Sequence, residues 1–219
     1  MTNKQLIFIL SGAIVLIAFS LGVYAYLAKK DQALGRMAQD STSVFVRPHS
    51  PTYGPDTAKV RIVEFFDPAC ETCRAFYPLV KRLVDAQQGK VQLVVRYIPL
   101  HSGSETAVKI LEAARLQNLF WPVMQVVLNG QPMWAAHDKP APENIWGFVG
   151  NTGLDIARAR QDVGLPAVQA VIDQDVADAN VLKVTKTPGF FVNGRPLQDF
   201  GYEQLVALVE EEVKAAYPK

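Results

Sequence analysis

The chain carries two cysteines, Cys70 and Cys73, set in a C-x-x-C of sequence Cys70-Glu71-Thr72-Cys73. At helical positions i and i+3 the two sulfurs fall on one side of a single turn, close enough to bridge. A thiol at a helix start meets unpaired backbone N–H groups and the positive end of the macrodipole, and both favour the thiolate. The second thiol lies one turn in and is better shielded. This asymmetry suits thiol–disulfide exchange, with Cys70 as the exposed attacking sulfur and Cys73 as the protected resolving one. Half of a zinc site and a plain structural bridge are the competing readings. Zinc needs two further ligands, and His49, His101 and His137 show no ligand spacing, so no metal is expected. Two cysteines also rule out a disulfide scaffold.

Such a motif needs a strand to deliver it and a helix to hold it. Lys59 to Phe66 (KVRIVEFF), rich in β-branched and aromatic residues, reads as a buried strand. Glu71 to Ala86 follows at helical period, with Phe76, Val80 and Leu83 on one side and Pro78 expected to kink it. Val91 to Leu100 is the next strand, completing a βαβ unit with a parallel pair and a right-handed crossover. Ahead of the unit, Ser43 to Val46 is a short strand candidate and Pro48 to Asp56 a loop. Beyond it, Ser102 and Glu105 fit a capping box that opens a helix with Ala107, Ile110, Leu111 and Ala114 on its apolar face. Further helices are predicted around 143–148, 154–162 and 167–177. Strand character returns at Gly189 to Val192, Asn193-Gly194 is a hairpin turn, and a last helix over 203–215 sets Leu205, Leu208 and Val209 inward.

The 219 residues carry 22 Lys plus Arg against 21 Asp plus Glu, a net charge of +1, with no basic run. Nothing in that balance provides a footprint for nucleic acid, which is set aside as a partner. From Leu6 to Leu27, 18 of 22 residues are apolar, flanked by Lys4 and by Lys29-Lys30. That length suits a bilayer-spanning helix, since a cleaved signal has an apolar region of only ~7–15 residues. An uncleaved anchor is therefore the preferred reading and a cleaved signal the competing one. Both carry the remaining chain to or beyond the membrane.

Glu64-Phe65-Phe66 before the C-x-x-C, Pro78 in the following helix, and Thr187-Pro188-Gly189-Phe190-Phe191-Val192-Asn193-Gly194 near the end together resemble a thioredoxin-fold protein of the DsbA type. The resemblance covers about residues 54–216. It implies an α/β fold: a thioredoxin fold with an inserted helical domain, preceded by the transmembrane helix. The expected organisation is an anchor over 1–30, a stalk and first strand over 31–53, the thioredoxin part with the C-x-x-C over 54–100, a helical insertion over 101–180, and the closing thioredoxin part over 181–219. Pro188 resembles the family's cis-proline, which leaves the Thr187 backbone free to pair with an extended substrate peptide. Similar proteins carry a buried acid at the position of Glu64, which exchanges a proton with the resolving thiol. Desolvation would raise its pKa for that purpose, and Arg96 in the neighbouring strand is its candidate charge partner.

The resemblance implies a protein disulfide oxidoreductase without organic cofactor, its redox group being the Cys70–Cys73 disulfide. Expected partners are cysteine-containing polypeptides and a quinone-linked membrane protein that reoxidises the dithiol. The expected setting is the inner membrane, single-pass, with the catalytic domain as a monomer on the periplasmic or exterior side. Glu71 and Thr72 depart from the Pro-His of the most oxidising relatives, and Glu71 is expected to oppose the thiolate. Oxidase is the preferred direction, with tethered reductase or isomerase as alternatives. A non-catalytic chaperone-like module, using Phe120, Trp121, Trp134 and Trp146 as an apolar surface, is the rival from another class. His101 is expected to cap a loop.

Overall fold

A computed structural model describes residues 44–218. The expected anchor over 1–30 and most of the stalk lie outside the described residues, and no described helix is long and apolar enough to cross a membrane.

Five strands form one sheet in the order β1 (Thr52–Tyr53), β3 (Val91–Tyr97), β2 (Val60–Phe66), β4 (Gly189–Val192), β5 (Arg195–Pro196). The central pair β2 and β3 is parallel, in register from Val60 opposite Val91 to Phe66 opposite Tyr97. Helix α1 (Glu71–Ala86) makes the connection, as the βαβ reading requires. It runs through Pro78 and buries Cys73, Tyr77, Val80, Leu83 and Val84. On the other side of β2, β4 pairs antiparallel, with Glu64 opposite Phe190. Asn193 and Gly194 both take positive φ, 48° and 82°, the conformation that a two-residue hairpin turn demands. Helix α8 (Tyr202–Ala216) closes the fold and buries Leu205 and Val209, while Leu208 is half-buried.

Between β3 and β4 the chain forms the expected helical insertion. It comprises α2 (Ser104–Arg115), α3 (Phe120–Asn129), α4 (Gln131–Trp134), α5 (Ile145–Phe148), α6 (Ile156–Asp162) and α7 (Pro166–Val181). Its apolar faces join those of α1 and β2 in one core that contains Cys70 and Cys73. Phe120, Trp134 and Trp146 are buried there, and Trp121 is half-buried with its indole N–H donating to the Thr52 carbonyl (3.0 Å). The four rings therefore build the interior rather than a binding surface.

Two local expectations are corrected. The described part of the Ser43 to Val46 candidate, residues 44–46, forms no strand: residues 44 and 45 are in a turn, and Thr52–Tyr53 supplies the edge strand from within the expected loop. Phe45 is nonetheless fully buried, edge-on to Phe191 at 5.1 Å between ring centres. The capping box at Ser102 and Glu105 does not form. Gly103, at φ 83°, is the N-cap of α2, because Ser104 turns inward to bond the buried Asp67 carboxylate.

Candidate active site

Strand β2 ends at Phe66, and the chain turns through Asp67-Pro68-Ala69 into the first turn of α1. Cys70 is the N-cap, with extended backbone and its carbonyl accepting from Arg74 N–H (3.1 Å). Both cysteines are free thiols, and both are buried, which corrects the expectation of an exposed Cys70: the residue is 6% exposed, against 0% for Cys73, because the Thr187 loop lies over it. Across from them lies the loop before β4, where the Thr187–Pro188 peptide is cis as the resemblance implied. Cys70 Sγ donates to the Thr187 carbonyl at 3.3 Å, which joins residues 117 positions apart.

The two sulfurs differ sharply in acidity. Cys70 is lowered to about 5. A hydrogen bond from the Cys73 thiol contributes most, burial works against it, and the Thr187 side chain and the backbone N–H groups of Cys73 and Thr72 add to it. Cys73 is pushed well above its ordinary value, first by burial and then by giving its proton to the Cys70 bond. Glu64 is raised to about 8, by burial first and then by the negative charge of Cys70. Its carboxyl is 2% exposed, and Oε1 has no hydrogen-bond partner among the described residues.

Arg96 is not the partner of Glu64. In the parallel register Glu64 lies opposite Val95, and Arg96 lies opposite Phe65. Alternation along the strand therefore sends Arg96 to the other face of the sheet. There its guanidinium sits 5.6 Å from the Phe65 ring and bonds Asp175 (2.8 Å) and Asp178 (2.6 Å) of α7 and the Val44 carbonyl (2.6 Å). Arg47 and His49 join the same two carboxylates. The network fastens the entering chain to the back of the sheet, and Glu64 stays uncompensated on the front.

Glu71 points outward, its side chain 70% exposed and 3.9 Å from Nε2 of His137. His101 does more than cap a loop: its Nδ1 meets Asp67 Oδ2 at 2.7 Å. Asp67 escaped notice in the sequence. It is fully buried and accepts from the N–H groups of Ala69, Leu100 and His101 and from the Ser104 hydroxyl. Its one sequence signal is an Asp-Pro pair at a strand end. Gln131, also buried, donates to the Pro68 and Cys70 carbonyls and carries no local signal at all. Beside Cys70 a groove of about 750 Å3 is lined by Thr72, Thr187, Pro188, Phe190, Leu197 and Phe200, the last 52% exposed. Among the described residues no group of His, Cys, Asp or Glu is placed to hold a metal.

An acidic thiol and a shielded one, at the start of a helix that follows a central strand and faces a cis-proline, form a site for thiol–disulfide exchange. A family model described as thioredoxin matches residues 47–211. The chain belongs to the thioredoxin family. With this dithiol, the family fold makes it a thiol–disulfide oxidoreductase. Among solved structures it is similar to a thioredoxin-like oxidoreductase from Silicibacter pomeroyi DSS-3, at 29% identity and TM-score 0.69, over 81% of this chain and 99% of that one. BdbD from Bacillus subtilis shares the fold at 21% identity and TM-score 0.67, over 76% of this chain and 94% of that one. The catalytic domain of Proteus mirabilis ScsC does so at 17% identity and TM-score 0.67, over 82% and 98%. Among curated proteins it is 32% identical over 145 residues to a Na(+)/H(+) antiporter NhaA of Herminiimonas arsenicoxydans. That match takes in 66% of this chain but only 22% of the antiporter, so the chain spans about a fifth of that relative.

Proposed function

We propose that this thioredoxin-family protein is an extracytoplasmic disulfide oxidase for cysteine-containing polypeptides. The observation that carries the reading is the placement of Cys70 at the N-cap of α1 against the Thr187–Pro188 loop, with Cys73 shielded one turn in, a setting that lowers Cys70 and pushes Cys73 up. A thiolate stabilised in the dithiol form makes the disulfide easier to reduce, and so a stronger oxidant. It also makes Cys70 the better leaving group.

In the proposed cycle a substrate thiolate attacks Cys70 Sγ of the Cys70–Cys73 disulfide. A substrate–Cys70 disulfide forms, and Cys73 leaves with the electron pair of the broken S–S bond. Burial makes a bare Cys73 thiolate costly, and the protonated carboxyl of Glu64 is the proton source on that side of the sheet. A second substrate thiolate then attacks the substrate sulfur of the mixed disulfide. The substrate leaves as a disulfide and Cys70 as a thiolate, two electrons having passed to the protein. The Thr187 backbone beside Pro188 offers an edge on which an extended substrate pairs, and the neighbouring groove accommodates its side chains.

The apolar stretch over 6–27 supports single-pass attachment to the inner membrane, with the catalytic domain outside the cytosol as a monomer. A quinone-linked membrane protein is the proposed oxidant of the dithiol. A tethered reductase or isomerase is the second reading, favoured by Glu71 within the motif and by Thr187 before the proline. Glu71 weakens the oxidant only modestly in either case, because a carboxylate this exposed is largely screened. Two measurements test the proposal. Cys73→Ala should accumulate Cys70-linked mixed disulfides on non-reducing gels, and their absence refutes exchange through Cys70. The steady-state thiol status of Cys70 in cells should be bridged, and a reduced pair refutes the oxidase direction.

A further inference from the structure

Residues of the helical insertion approach the C-x-x-C from behind, and one of them is bonded to it. Gln131 opens the short helix α4 and is 2% exposed. Its side-chain Nε2 donates to the Pro68 carbonyl at 2.8 Å and to the Cys70 carbonyl at 3.0 Å. Both acceptors belong to the turn between β2 and α1, and one is on the reacting residue. They are 63 and 61 positions away in sequence, so this is a tertiary clamp between the insertion and the thiol-bearing turn.

The surroundings hold the clamp in place. Gly130 precedes it, and a Cβ at that position would come within 2.8 Å of the Phe148 ring, so α3, α4 and α5 meet there at a distance only glycine permits. Trp134, at the far end of α4, is fully buried and donates from its indole to the Val127 carbonyl at 2.8 Å. On the opposite flank of the turn Asp67 ties the same residues to Leu100, His101 and Ser104. The turn is thus held by both side chains, and of the two Gln131 is the one bonded to Cys70.

We propose that Gln131 is the positioning residue through which the helical insertion holds the Cys70 backbone in its reactive setting. The reasoning is geometric. Part of the support for the Cys70 thiolate comes from the backbone N–H groups of Thr72 and Cys73, which reach Sγ only if Cys70 keeps its N-cap conformation of φ −72° and ψ 120°. Rotation about ψ of Cys70 would swing those N–H groups away from the sulfur and turn the Cys70 carbonyl off Gln131. Holding the carbonyl of Cys70 itself, together with that of Pro68 two residues earlier, opposes that rotation. A buried amide also resists loss of its bonds, since an unpaired donor away from water is costly, and the Cys70 carbonyl would keep only its bond from Arg74 N–H. The insertion then tunes the couple as well as covering it. This inference rests on the reading of Cys70 as the exchanging thiol.

The test compares full-length wild type with Gln131→Met, which keeps the side-chain length but has no donor, and with Ile172→Val, which trims a buried side chain of α7 outside the clamp. Thermal melting reports folding, ultraviolet absorbance of the thiolate reports the Cys70 titration, and equilibration with glutathione reports the redox couple. Gln131→Met should move the thiolate midpoint to higher pH and lower the equilibrium oxidising strength about three- to tenfold, the weight of one to two weakened hydrogen bonds. Ile172→Val should lower the melting temperature and leave both redox readouts unchanged. A Gln131→Met protein that folds and titrates like wild type overturns the proposal, as does Ile172→Val moving the titration equally. If Gln131→Met does not fold, the wild-type Gln131 side-chain amide decides by NMR. Slow solvent exchange and a shift between dithiol and disulfide forms support the clamp, and fast exchange overturns it. Loss of any thiolate titration in wild type would instead count against Cys70 as the exchanging group, so the two failures are separable.

Discussion

Replacing Glu64 by Gln should stabilise the dithiol form, by an amount that grows with pH. The carboxyl is 2% exposed, has an oxygen without a partner among the described residues, and is raised from 4.5 to about 8, by burial and then by the charge on Cys70. A group whose folded pKa is raised binds more protons folded than unfolded in that interval. Its contribution is therefore whole below pH 4.5 and is lost progressively as pH rises through 8. At about 1.4 kcal/mol for each pH unit of the gap, the full loss is on the order of 5 kcal/mol, with roughly 3 kcal/mol already lost at pH 7. Glutamine mimics the protonated acid in shape and carries no such dependence. Urea denaturation of the reduced protein at pH 4.5, 7 and 9 should find wild type and Glu64→Gln nearly equal at the first and the variant increasingly the more stable at the other two. Cys70 titrates in both proteins, so its own pH dependence largely cancels and the difference reports Glu64 together with its coupling to Cys70. In the disulfide form the Cys70 charge is gone, and the gap should shrink. Parallel stability curves across this range would refute the assignment of a buried, uncompensated carboxyl. The same variant should also turn over more slowly, because Cys73 loses its proton donor.

Further outcomes follow from other parts of the structure. Alkylation of the reduced protein by iodoacetamide should rise with pH around a midpoint near 5, matching the lowered Cys70, and should vanish in Cys70→Ser; a midpoint above pH 7 would contradict the thiolate setting. Asp175→Ala should cost about 3–5 kcal/mol in urea denaturation, because fully buried Arg96 keeps only Asp178 as a carboxylate partner, and a cost below 1 kcal/mol would refute the buried network.

The site was legible in the sequence to the extent that its parts are local. The C-x-x-C, the strand ending before it and the helix starting within it lie in a run of about thirty residues. Hydrophobic period and helix-end chemistry suffice to read such a run. The hairpin at Asn193-Gly194 was equally readable, since positive φ there is a property of those two residues. Less was legible where a residue's role depends on a distant neighbour. Phe45 belongs to the core although its segment forms no strand, because it packs on Phe191 rather than pairing with a strand. The start of α2 at Ser104 is not readable locally, because its hydroxyl bonds Asp67, 37 positions earlier, and not its own helix.

Arg96 separates the two sources of information most clearly. Composition places a cation in a strand beside the strand of Glu64, and that suggests a pair. The parallel register puts them on opposite faces, so Arg96 binds Asp175 and Asp178 while Glu64 faces the sulfurs alone. Residue types and their near spacing decided the reaction available to this chain, because thiol chemistry and helix starts act over one or two turns. Which groups touch Cys70 was decided by the fold: Thr187 arrives from 117 residues away and Gln131 from 61, and only packing of the insertion and the closing strands brings them within hydrogen-bond reach.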